Sequence, residues 1–567
     1  MKNIKSAFLV ALLSVSSGCK KWLDVNSDPA SPQTSRAEFY LGPMIAATAI
    51  STAQDYLTVQ FKYNQYILAQ GSNDTFERQG FSESDSGGNI WRLVYIHYGI
   101  NLEDLLAKAE QQKAYTILGI GYALKAYGYQ MLTDSHGPVI LDEAFKDQLQ
   151  FTYQDQPEIY ARVRVWCQMA LEALNKEDNG TQVGVLKTAD TMFGQTIPVD
   201  NNTTVYKNRW RKFIYAILAT QYSHLTNKPD FTSKYADSVV KYVDLSFGGS
   251  VLNASEDPTI GFDNTKAFVA ATNGNYGDSN PFSGVAGIIG VTNGRVGQPI
   301  VNYLTGGGRT GIPVTNPTIT TATSKDPRLT RMINPMVTTV TATNGVYRGV
   351  VVAEGDLPTV KTIPSVFGSA APTFPGKYLF GIGGAQGDKP RYPLYSYAQL
   401  QFAKAEALFL QGNTSGAYTA YINGIRGHMD FVNLYGRATP TSSSAPPAIT
   451  ATEISDYLAG PEVAKNGGEL TLADIMGQKY IAQWGWAGQE QWCDLRKHHY
   501  DPTLFKHWKP LESNKFTLTK NGIGQYVYRI RPRLNSEYLF NKAELEKWGA
   551  TSPLYAFTET WFSTNAN

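Results

Sequence analysis

The chain has 567 residues, with 50 lysines and arginines against 48 aspartates and glutamates, 42% hydrophobic residues and three cysteines. The balanced charge and the lack of long Lys/Arg clusters argue against a nucleic-acid partner, because such binding relies on clustered cations that displace counterions. The cysteines, Cys19, Cys167 and Cys493, have neither the number for a disulfide framework nor the paired spacing of a zinc site.

Residues 1–18 have the layout of a bacterial secretory signal peptide. Lys2 and Lys5 precede the apolar run Ala7–Val15, which is too short to span a bilayer, and small residues follow it up to Cys19. A small-residue turn before a cysteine resembles a lipobox, which implies cleavage there and acylation of Cys19, palmitate included, as a stable anchor. The alternative is an ordinary signal peptide cut nearby, which would leave Cys19 as an unmodified thiol.

Residues 19–35 are predicted to be a tether, because prolines and turn-forming Asp and Asn dominate there. From about 36 to 245 the pattern is mostly helical, with apolar residues at steps of three and four in Tyr115–Thr133, Ile159–Asn175 and Trp210–Thr226. Small residues recur beside aromatic ones on these faces. That combination is the packing expected of tetratricopeptide-like helical hairpins.

Residues 246–395 are predicted to be a loop-rich insert with short strands, because Gly, Thr, Asn and Pro dominate there. Helices return from about 396 to 500, interrupted by a predicted loop over 436–470, where Ser, Thr and Pro are frequent. The predicted fold class is therefore mainly α, with helical hairpins packed against an irregular, loop-rich ligand-binding side that carries a few short strands. Residues 36–567 are expected to form one domain.

No enzyme motif is found in the sequence, which lacks a Walker loop, an HExxH zinc motif and a GxSxG elbow. Aromatic residues are abundant instead, with 34 Tyr, 25 Phe and 10 Trp. Rings in loops rich in Asn, Asp and Gly suit sugars, whose C–H faces lie on flat rings while their hydroxyls bond amides and carboxylates. The candidate ligand-binding residues are Phe76, Phe81, Trp91, Tyr276, Phe282 and Tyr303.

Several segments, taken together, resemble one family. They are CKKWLDVNSDP, NIWRLVYIHYGINLEDLL, LTDSHGPVILDEAF, TYQDQPEIYARV, NRWRKFIYAILATQYSHL, KDPRLTRMINP, PLYSYAQLQFAKAEALFLQGNTSGAYTAYINGI, QEQWCDLRKHHY and PRLNSEYLFN. In this order they resemble the SusD/RagB family of Bacteroidetes nutrient-uptake lipoproteins. The resemblance implies four tetratricopeptide-like hairpins and an outer-membrane lipoprotein that usually faces the cell exterior. It also implies that the protein acts as a lid on a partner TonB-dependent transporter, which is a SusC-like β-barrel. The lid is expected to bind glycan or peptide without cleaving it.

The motifs that match the family carry over as structural residues, namely Asp326, Arg328, Glu406, Trp492, Asp494 and Arg496. The Arg496 guanidinium is expected to bond helix-end carbonyls or to pair with Asp494. The family's ligand residues lie in variable loops, so none of them is transferred.

The sequence therefore predicts a non-catalytic, lipid-anchored outer-membrane protein that binds an oligosaccharide, delivers it to a TonB-dependent transporter and needs no cofactor or catalytic metal. Two alternatives stay open: the same transporter lid with peptides as ligands, and an anchored hydrolase with an unrecognised carboxylate pair. The identity of the glycan, a structural calcium ion and a pairing of Cys167 with Cys493 are also left open.

Overall fold

The computed structural model describes residues 35–81, 84–249, 251–262, 280–282, 294–309, 326–339, 342–343, 346–356, 363–367, 377–380, 391–435, 447–517 and 524–566. Two predicted functional residues, Cys19 and Tyr276, lie outside these ranges, as does the predicted signal peptide. Among the described residues, no helix is both long and apolar enough to cross a bilayer.

Helices account for most of the regular structure in the described residues. Those with eight or more residues are α1 (Leu41–Asp55), α2 (Gly99–Gln111), α3 (Tyr115–His136), α4 (Gln156–Asn175), α5 (Thr204–Ser223), α6 (Ala236–Leu245), α7 (Tyr397–Leu410), α8 (Thr414–Tyr435), α9 (Ala451–Ala459), α10 (Leu472–Gln483) and α11 (Gly488–Lys497). Shorter helical segments are Phe61–Tyr63, Asn89–Arg92, Val183–Ala189, Phe231–Lys234, Gln298–Asn302, Leu329–Met332, Glu537–Phe540 and Lys542–Lys547. The mainly α class is confirmed.

Consecutive helices pack as hairpins: α2 with α3, α3 with α4, α5 with α6, and α7 with α8. In the last pair Gly412, at φ +81°, supplies the left-handed residue that ends α7 before α8 begins. A Cβ atom at Gly424 of α8 would lie 2.6 Å from the ring of Phe402 on α7. The glycine therefore lets the two helices approach closely, which is the tetratricopeptide-like packing expected from the sequence.

The irregular side carries short strands that pair in twos. They are β1 (Ile67–Leu68), β2 (Val139–Ile140), β3 (Tyr153–Gln154), β4 (Thr259–Ile260), β5 (Arg295–Val296), β6 (Val337–Thr339), β7 (Ala342–Thr343) and β8 (Tyr392–Pro393). The antiparallel pairs are β1–β5, β2–β3, β4–β8 and β6–β7. The β4–β8 pair joins the two ends of the loop-rich insert, and the β1–β5 pair joins the insert to the N-terminal helical segment.

The prediction of a loop over 436–470 is wrong in part, because α9 lies within it. The Thr450 side chain accepts a hydrogen bond from the Glu453 backbone N–H at 3.2 Å, and a Glu453 carboxylate oxygen accepts one from the Thr450 N–H at 2.8 Å. This reciprocal capping box starts a helix where the preceding Ser/Thr/Pro run indicates none.

Most of the aromatic residues are buried. Buried apolar side chains from Ala37 to Phe562 pack into one continuous cluster within the described residues. The largest fully buried side chains include the indoles of Trp210, Trp484, Trp486, Trp492 and Trp508. The abundance of rings in the sequence therefore reflects mainly the filling of a core between helices.

Candidate functional site

Asp326 and Arg328 form a buried ion pair. The Arg328 Nε donates to Asp326 Oδ1 at 3.0 Å and its Nη2 to Oδ2 at 2.7 Å, a two-point contact with a planar guanidinium. The same guanidinium donates to Gln478 Oε1 at 2.9 Å and to the Tyr457 hydroxyl at 3.1 Å. This motif thus joins the start of a short helix to α9 and α10.

Glu406 and Asp494 share two buried lysines. The Lys497 Nζ lies 2.9 Å from a Glu406 oxygen and 3.0 Å from Asp494 Oδ1, while the Lys479 Nζ lies 2.7 Å from Asp494 Oδ1. His498 Nε2 lies 2.9 Å from the other Glu406 oxygen. Burial alone would raise the pKa of Glu406, but Lys497 and His498 lower it below its usual range. The network holds α7, α10 and α11 together.

Arg496 donates hydrogen bonds to backbone carbonyls, which is the first of the two roles that the sequence suggests for it. Its Nη1 donates to the carbonyl oxygen of Asp134, near the end of α3, at 2.6 Å and to that of Tyr528 at 2.8 Å. Its Nε donates to the Trp492 carbonyl at 3.2 Å. Asp494 pairs with the lysines instead, so the alternative Asp494–Arg496 pair does not form.

Asp134, His224 and Cys493 form a group of potential metal ligands whose donor atoms lie within 4.8 Å of one another. The protein already compensates the charges of this group. His224 Nδ1 lies 3.3 Å from an Asp134 oxygen, and its Nε2 lies 3.1 Å from an oxygen of Glu490. Burial opposes protonation, but Cys493 and the two carboxylates raise the pKa of His224 well above its usual value. The imidazolium therefore occupies the place between carboxylates that a metal ion would need.

Cys167 and Cys493 are both free thiols in buried positions, so they do not pair with each other. Burial raises the pKa of both thiols. The Arg496 Nη2 donates to Cys493 Sγ at 3.2 Å, and no metal is needed to satisfy that sulfur. Sequence inspection missed this cluster because its members lie far apart along the chain.

Four of the predicted ligand-binding rings lie in the core. They are Phe81, Trp91, Phe282 and Tyr303, each at most 5% exposed. Trp91 packs with its ring 5.2 Å from that of His136, and Phe282 with its ring 4.7 Å from that of Tyr392. A ring can stack on a sugar only through an open face, so the prediction of a surface platform at Trp91 and Phe282 is wrong.

Phe76 and Phe81 line the same small recess, next to Tyr63 and Arg531. Phe76 is half-buried and packs edge-to-face with Tyr63, with the two ring centroids 6.0 Å apart. The recess has a volume of about 20 Å³, and one beside Trp484 about 10 Å³. Because one water needs about 10–15 Å³, neither recess holds more than a water molecule or two.

A larger cavity of about 140 Å³ adjoins Tyr303. Its lining in the described residues is Tyr303, Gly306, Asp326, Tyr457, Gly460, Pro461 and Glu462. Small-molecule sites usually measure about 300–1,000 Å³, so the cavity has room for one part of a ligand rather than for an extended chain. Of the three spaces described, the one that Tyr303 lines is the largest.

Two carboxylates and two phenols converge on this cavity. Asp326 is held by Arg328, and a Glu462 oxygen accepts the backbone N–H of Arg309 at 2.6 Å. The Tyr303 hydroxyl is buried beside the backbone N–H of His507. Carboxylate acceptors beside aromatic rings suit a ligand that carries hydroxyl groups. Sequence reasoning missed Tyr457 and Glu462 because they lie far from Tyr303 along the chain, and only the fold brings them next to it.

Comparison with known proteins places the chain in a family. A SusD-like family model, described as "Starch-binding associating with outer membrane", matches residues 29–217 and 298–519, which is more than half of the chain. Together the two segments include α1 to α4, most of α5, and α7 to α11. No curated protein matches the chain in sequence.

Solved structures share the fold at low sequence identity. A SusD/RagB family protein from Bacteroides thetaiotaomicron is 19% identical, with a TM-score of 0.65, covering 94% of this chain and 100% of its own. A SusD homolog from Parabacteroides distasonis is 15% identical, with a TM-score of 0.63 and coverages of 94% and 98%. A chitin-binding SusD homolog from Flavobacterium johnsoniae is 17% identical, with a TM-score of 0.59 and coverages of 94% and 99%. The chain belongs to the SusD-like family.

Proposed function

We propose that the protein is a surface-exposed lipoprotein of the outer membrane that binds an oligosaccharide and delivers it, uncleaved, to a TonB-dependent transporter. The observation that carries the proposal is the match to a family described as starch-binding and associated with the outer membrane. A similar fold in a chitin-binding protein adds support for a glycan ligand. The expectations from the sequence, a signal peptide and a lipobox-like cysteine, agree with this location.

The cavity beside Tyr303 is the place in the described residues that we assign to the glycan. It has room for a sugar ring, acceptors at Asp326 and Glu462, and phenol groups at Tyr303 and Tyr457. Asp326 accepts two hydrogen bonds from the Arg328 side chain.

The proposed anchor and tether give the binding face considerable reach. Fifteen residues separate Cys19 from Ser35, where the described structure begins. At 3.3–3.6 Å per residue, this tether extends to at most about 55 Å. A protein held in this way can stay over a partner β-barrel while it moves away to admit a ligand.

The ligand is tested by isothermal titration of residues 20–567 with starch-type and chitin-type oligosaccharides and with a peptide digest, followed by mass analysis of the products. The proposal expects saturable binding of at least one glycan with no shortened product. Binding of peptides alone would support the alternative in which the transporter lid binds peptides. Released shorter products would show it to be a hydrolase.

The transporter is tested separately by affinity capture from detergent-solubilised outer membrane of a Bacteroidetes host that expresses the tagged full chain. The proposal expects recovery of a large β-barrel transporter in stoichiometric amount. A variant with a changed exposed side chain, Arg162→Gln, serves as a positive control for folding and anchoring. Repeated capture of the tagged chain without a barrel would contradict the transporter assignment.

A further inference from the structure

Guanidinium groups outnumber carboxylates in the recess beside Phe76. The charged residues of its described lining are Asp85, Arg529, Arg531 and Arg533. Arg533 Nη2 lies 2.9 Å from Asp85 Oδ2, and no carboxylate of the described residues pairs with the other two arginines. The recess therefore has an excess of positive charge.

Arg529 supplies charge to the recess but little direct contact. Its Nε donates to the Thr558 carbonyl at 2.8 Å, its Nη2 donates to the Glu559 carbonyl, and the residue is only 7% exposed. Because both partners are neutral carbonyls, the charge of the guanidinium is not neutralised by them. Arg529 thus makes the potential of the recess more positive.

Arg531 is the arginine of the recess with donors to spare. Its Nε donates to the Tyr538 hydroxyl at 2.9 Å, and its two Nη groups have no hydrogen-bond partner among the described residues. The guanidinium carbon lies 4.9 Å from the ring centroid of Tyr538 and 5.1 Å from that of Phe81. Contacts with two rings restrict the side chain without using its Nη groups. Such a guanidinium is suited to a two-point contact with a carboxylate.

Arg533 adds a second, independent sign of a missing acceptor. Its Nη2 holds Asp85, but its Nε is buried and has no hydrogen-bond partner among the described residues. A buried donor without a partner is unfavourable until an acceptor reaches it. Two arginines of one lining therefore have unused donors, although one of them already pairs with a carboxylate.

The size of the recess fits one acidic group and excludes a ring. Its volume of about 20 Å³ is the space of one or two water molecules, which is also of the order of the two oxygen atoms of a carboxylate. A sugar ring that carried this carboxylate would remain outside. Phe76 is half-buried there, whereas Tyr63 and Phe81 are 1% and 5% exposed. Phe76 is thus the aromatic residue of the described lining that is open to the apolar face of a sugar.

We propose that this recess binds the carboxylate of a uronic acid residue in the glycan through Arg531 and Arg533, while the sugar ring lies against Phe76. The inference rests on the proposed function, because it requires an oligosaccharide ligand, and it narrows the substrate class to acidic oligosaccharides. A carboxylate brings both the negative charge and the acceptor oxygens that the lining lacks, whereas a neutral sugar brings acceptors alone. The described linings of this recess and of the Tyr303 cavity share no residue, so the two sites contact different parts of a ligand.

The test compares a uronate oligosaccharide with its methyl ester, which has the same rings and linkages without the charge. Each is titrated into residues 20–567 by calorimetry at low and at high salt. We expect the free acid to bind on the order of tenfold more tightly than the ester at low salt, with a smaller ratio at high salt, because salt screens the attraction. Equal affinity of acid and ester overturns the inference and leaves glycan binding intact.

Two variants with the same change of charge locate the effect. Arg531→Gln removes one guanidinium from the recess, so it should weaken binding of the free acid about tenfold and leave that of the ester nearly unchanged. Arg162→Gln removes a guanidinium that does not line the recess, and it should leave the ratio of acid to ester as in the wild type. Thermal unfolding checks that both variants are folded. An unchanged ratio in a folded Arg531→Gln protein overturns the assignment to this recess.

A measurement on the unchanged protein removes the dependence on variants. Hydrogen exchange should be slower at residues 84–88 and 529–534 with the free acid bound than with the ester bound, and equal exchange there contradicts the inference. A peptide with a free C-terminus is titrated beside its C-terminal amide. Preference for the peptide acid, with no preference for the uronate, overturns the sugar assignment in favour of a peptide carboxylate. If no glycan binds in this titration or in the first one, the proposed function itself fails.

Discussion

The guanidinium carbon of Arg496 lies 3.7 Å from the ring centroid of Trp492, one helical turn away on α11. The same guanidinium donates to the carbonyls of Asp134 and Tyr528, which lie in distant parts of the chain. The Trp492 indole in turn donates to the Tyr500 hydroxyl at 2.8 Å. The segment QWCDLRKHHY, which carries much of the family resemblance, therefore serves to join α11 to α3 and to the C-terminal segment.

Replacing Arg496 with lysine should destabilise the protein by about 2–4 kcal/mol. Lysine keeps the charge, but its ammonium group lacks the planar guanidinium geometry that donates hydrogen bonds to three carbonyls. Each buried carbonyl left without a partner costs about 1–3 kcal/mol. Urea unfolding followed by circular dichroism measures the change. Arg162→Lys is the control, because its pair with Asp142 is exposed on both sides and is expected to contribute less than about 1 kcal/mol. Equal losses in the two variants would contradict the role assigned to Arg496.

His136 should make the protein less stable at mildly acidic pH. Its Nδ1 lies 3.1 Å from the Ile530 carbonyl and 3.2 Å from the Arg531 carbonyl, and its buried Nε2 has no partner among the described residues. Burial lowers the pKa of His136 to about 4 from its usual 6.5. The unfolded chain therefore binds a proton between those values while the folded chain does not, and stability is lost as pH falls from about 6.5 towards 4.

The contribution of His136 to the pH dependence of stability is isolated by comparing the wild type with His136→Gln. The glutamine amide can still donate a hydrogen bond to a carbonyl. Unfolding free energies are measured at pH 7.5 and at pH 5. The wild type should lose on the order of 1–2 kcal/mol more than the variant on going to pH 5, since one pKa unit corresponds to about 1.4 kcal/mol. Parallel pH profiles for the two proteins would mean that His136 is accessible to protons in the folded state.

The buried network around Glu406 should respond cooperatively to mutation. Glu406→Gln and Lys497→Met each leave a buried partner with too few opposite charges, and each is expected to cost about 3–5 kcal/mol. The double variant should cost clearly less than the two single losses combined, because both members of the 2.9 Å pair are then gone. Urea unfolding of the four proteins gives the coupling energy.

A neighbouring exposed pair on the same helix provides the matched comparison. Lys404 lies 2.6 Å from Asp244, but their side chains are 22% and 49% exposed. Lys404→Met with Asp244→Asn should therefore show a coupling below about 1 kcal/mol. A coupling for Glu406 and Lys497 as small as this one would indicate that Lys479 and Asp494 compensate for the lost pair.

Cys19 should be the single site of lipid attachment. In a Bacteroidetes host that expresses the full chain, Cys19→Ala should abolish incorporation of labelled palmitate and move the protein from the membrane to the soluble fraction. Cys167→Ala should change neither result, because that thiol is 0% exposed in the folded protein. A wild type that carries no label and is found in the soluble fraction would favour the ordinary signal peptide.

Local patterns in the sequence predict the helices well, because each depends on residues a few positions apart. The apolar steps in Tyr115–Thr133 correspond to α3. The start of α9 was also present locally, as Thr450 and Glu453, but the preceding Ser/Thr/Pro run obscured it. Helix signals that depend on two residues are easily hidden by a biased composition.

The site depends on contacts that no local pattern contains. The Tyr303 cavity needs Asp326, Tyr457 and Glu462 from separate segments, and only the fold brings them together. Burial of Trp91 against His136 could not be foreseen either, since a ring in a Gly/Asn-rich stretch can face inwards or outwards. The orientation of a ring is set by tertiary packing, and sequence composition does not report it.

The tetratricopeptide-like hairpin of α7 and α8 should depend on the missing side chain at Gly424. A methyl group there would lie 2.6 Å from the ring of Phe402, which is fully buried and cannot move aside without disturbing its neighbours. Gly424→Ala should therefore destabilise the protein by about 1–3 kcal/mol, as overpacked cores do, in a urea unfolding experiment. Gly184→Ala is the control, because nothing lies within 4 Å of its Cβ position and alanine favours the helix by up to about 1 kcal/mol.

A second substitution distinguishes a steric clash from a general loss of structure. Phe402→Leu replaces the ring that the new methyl group would meet with a smaller side chain. The double variant with Gly424→Ala should therefore lose less stability than the sum of the losses in the two single variants. Additive losses would mean that Phe402 and Gly424 do not press on each other. In that case the close approach of α7 and α8 would have to be maintained by Gly427, whose Cβ position faces the ring of Tyr397 on α7.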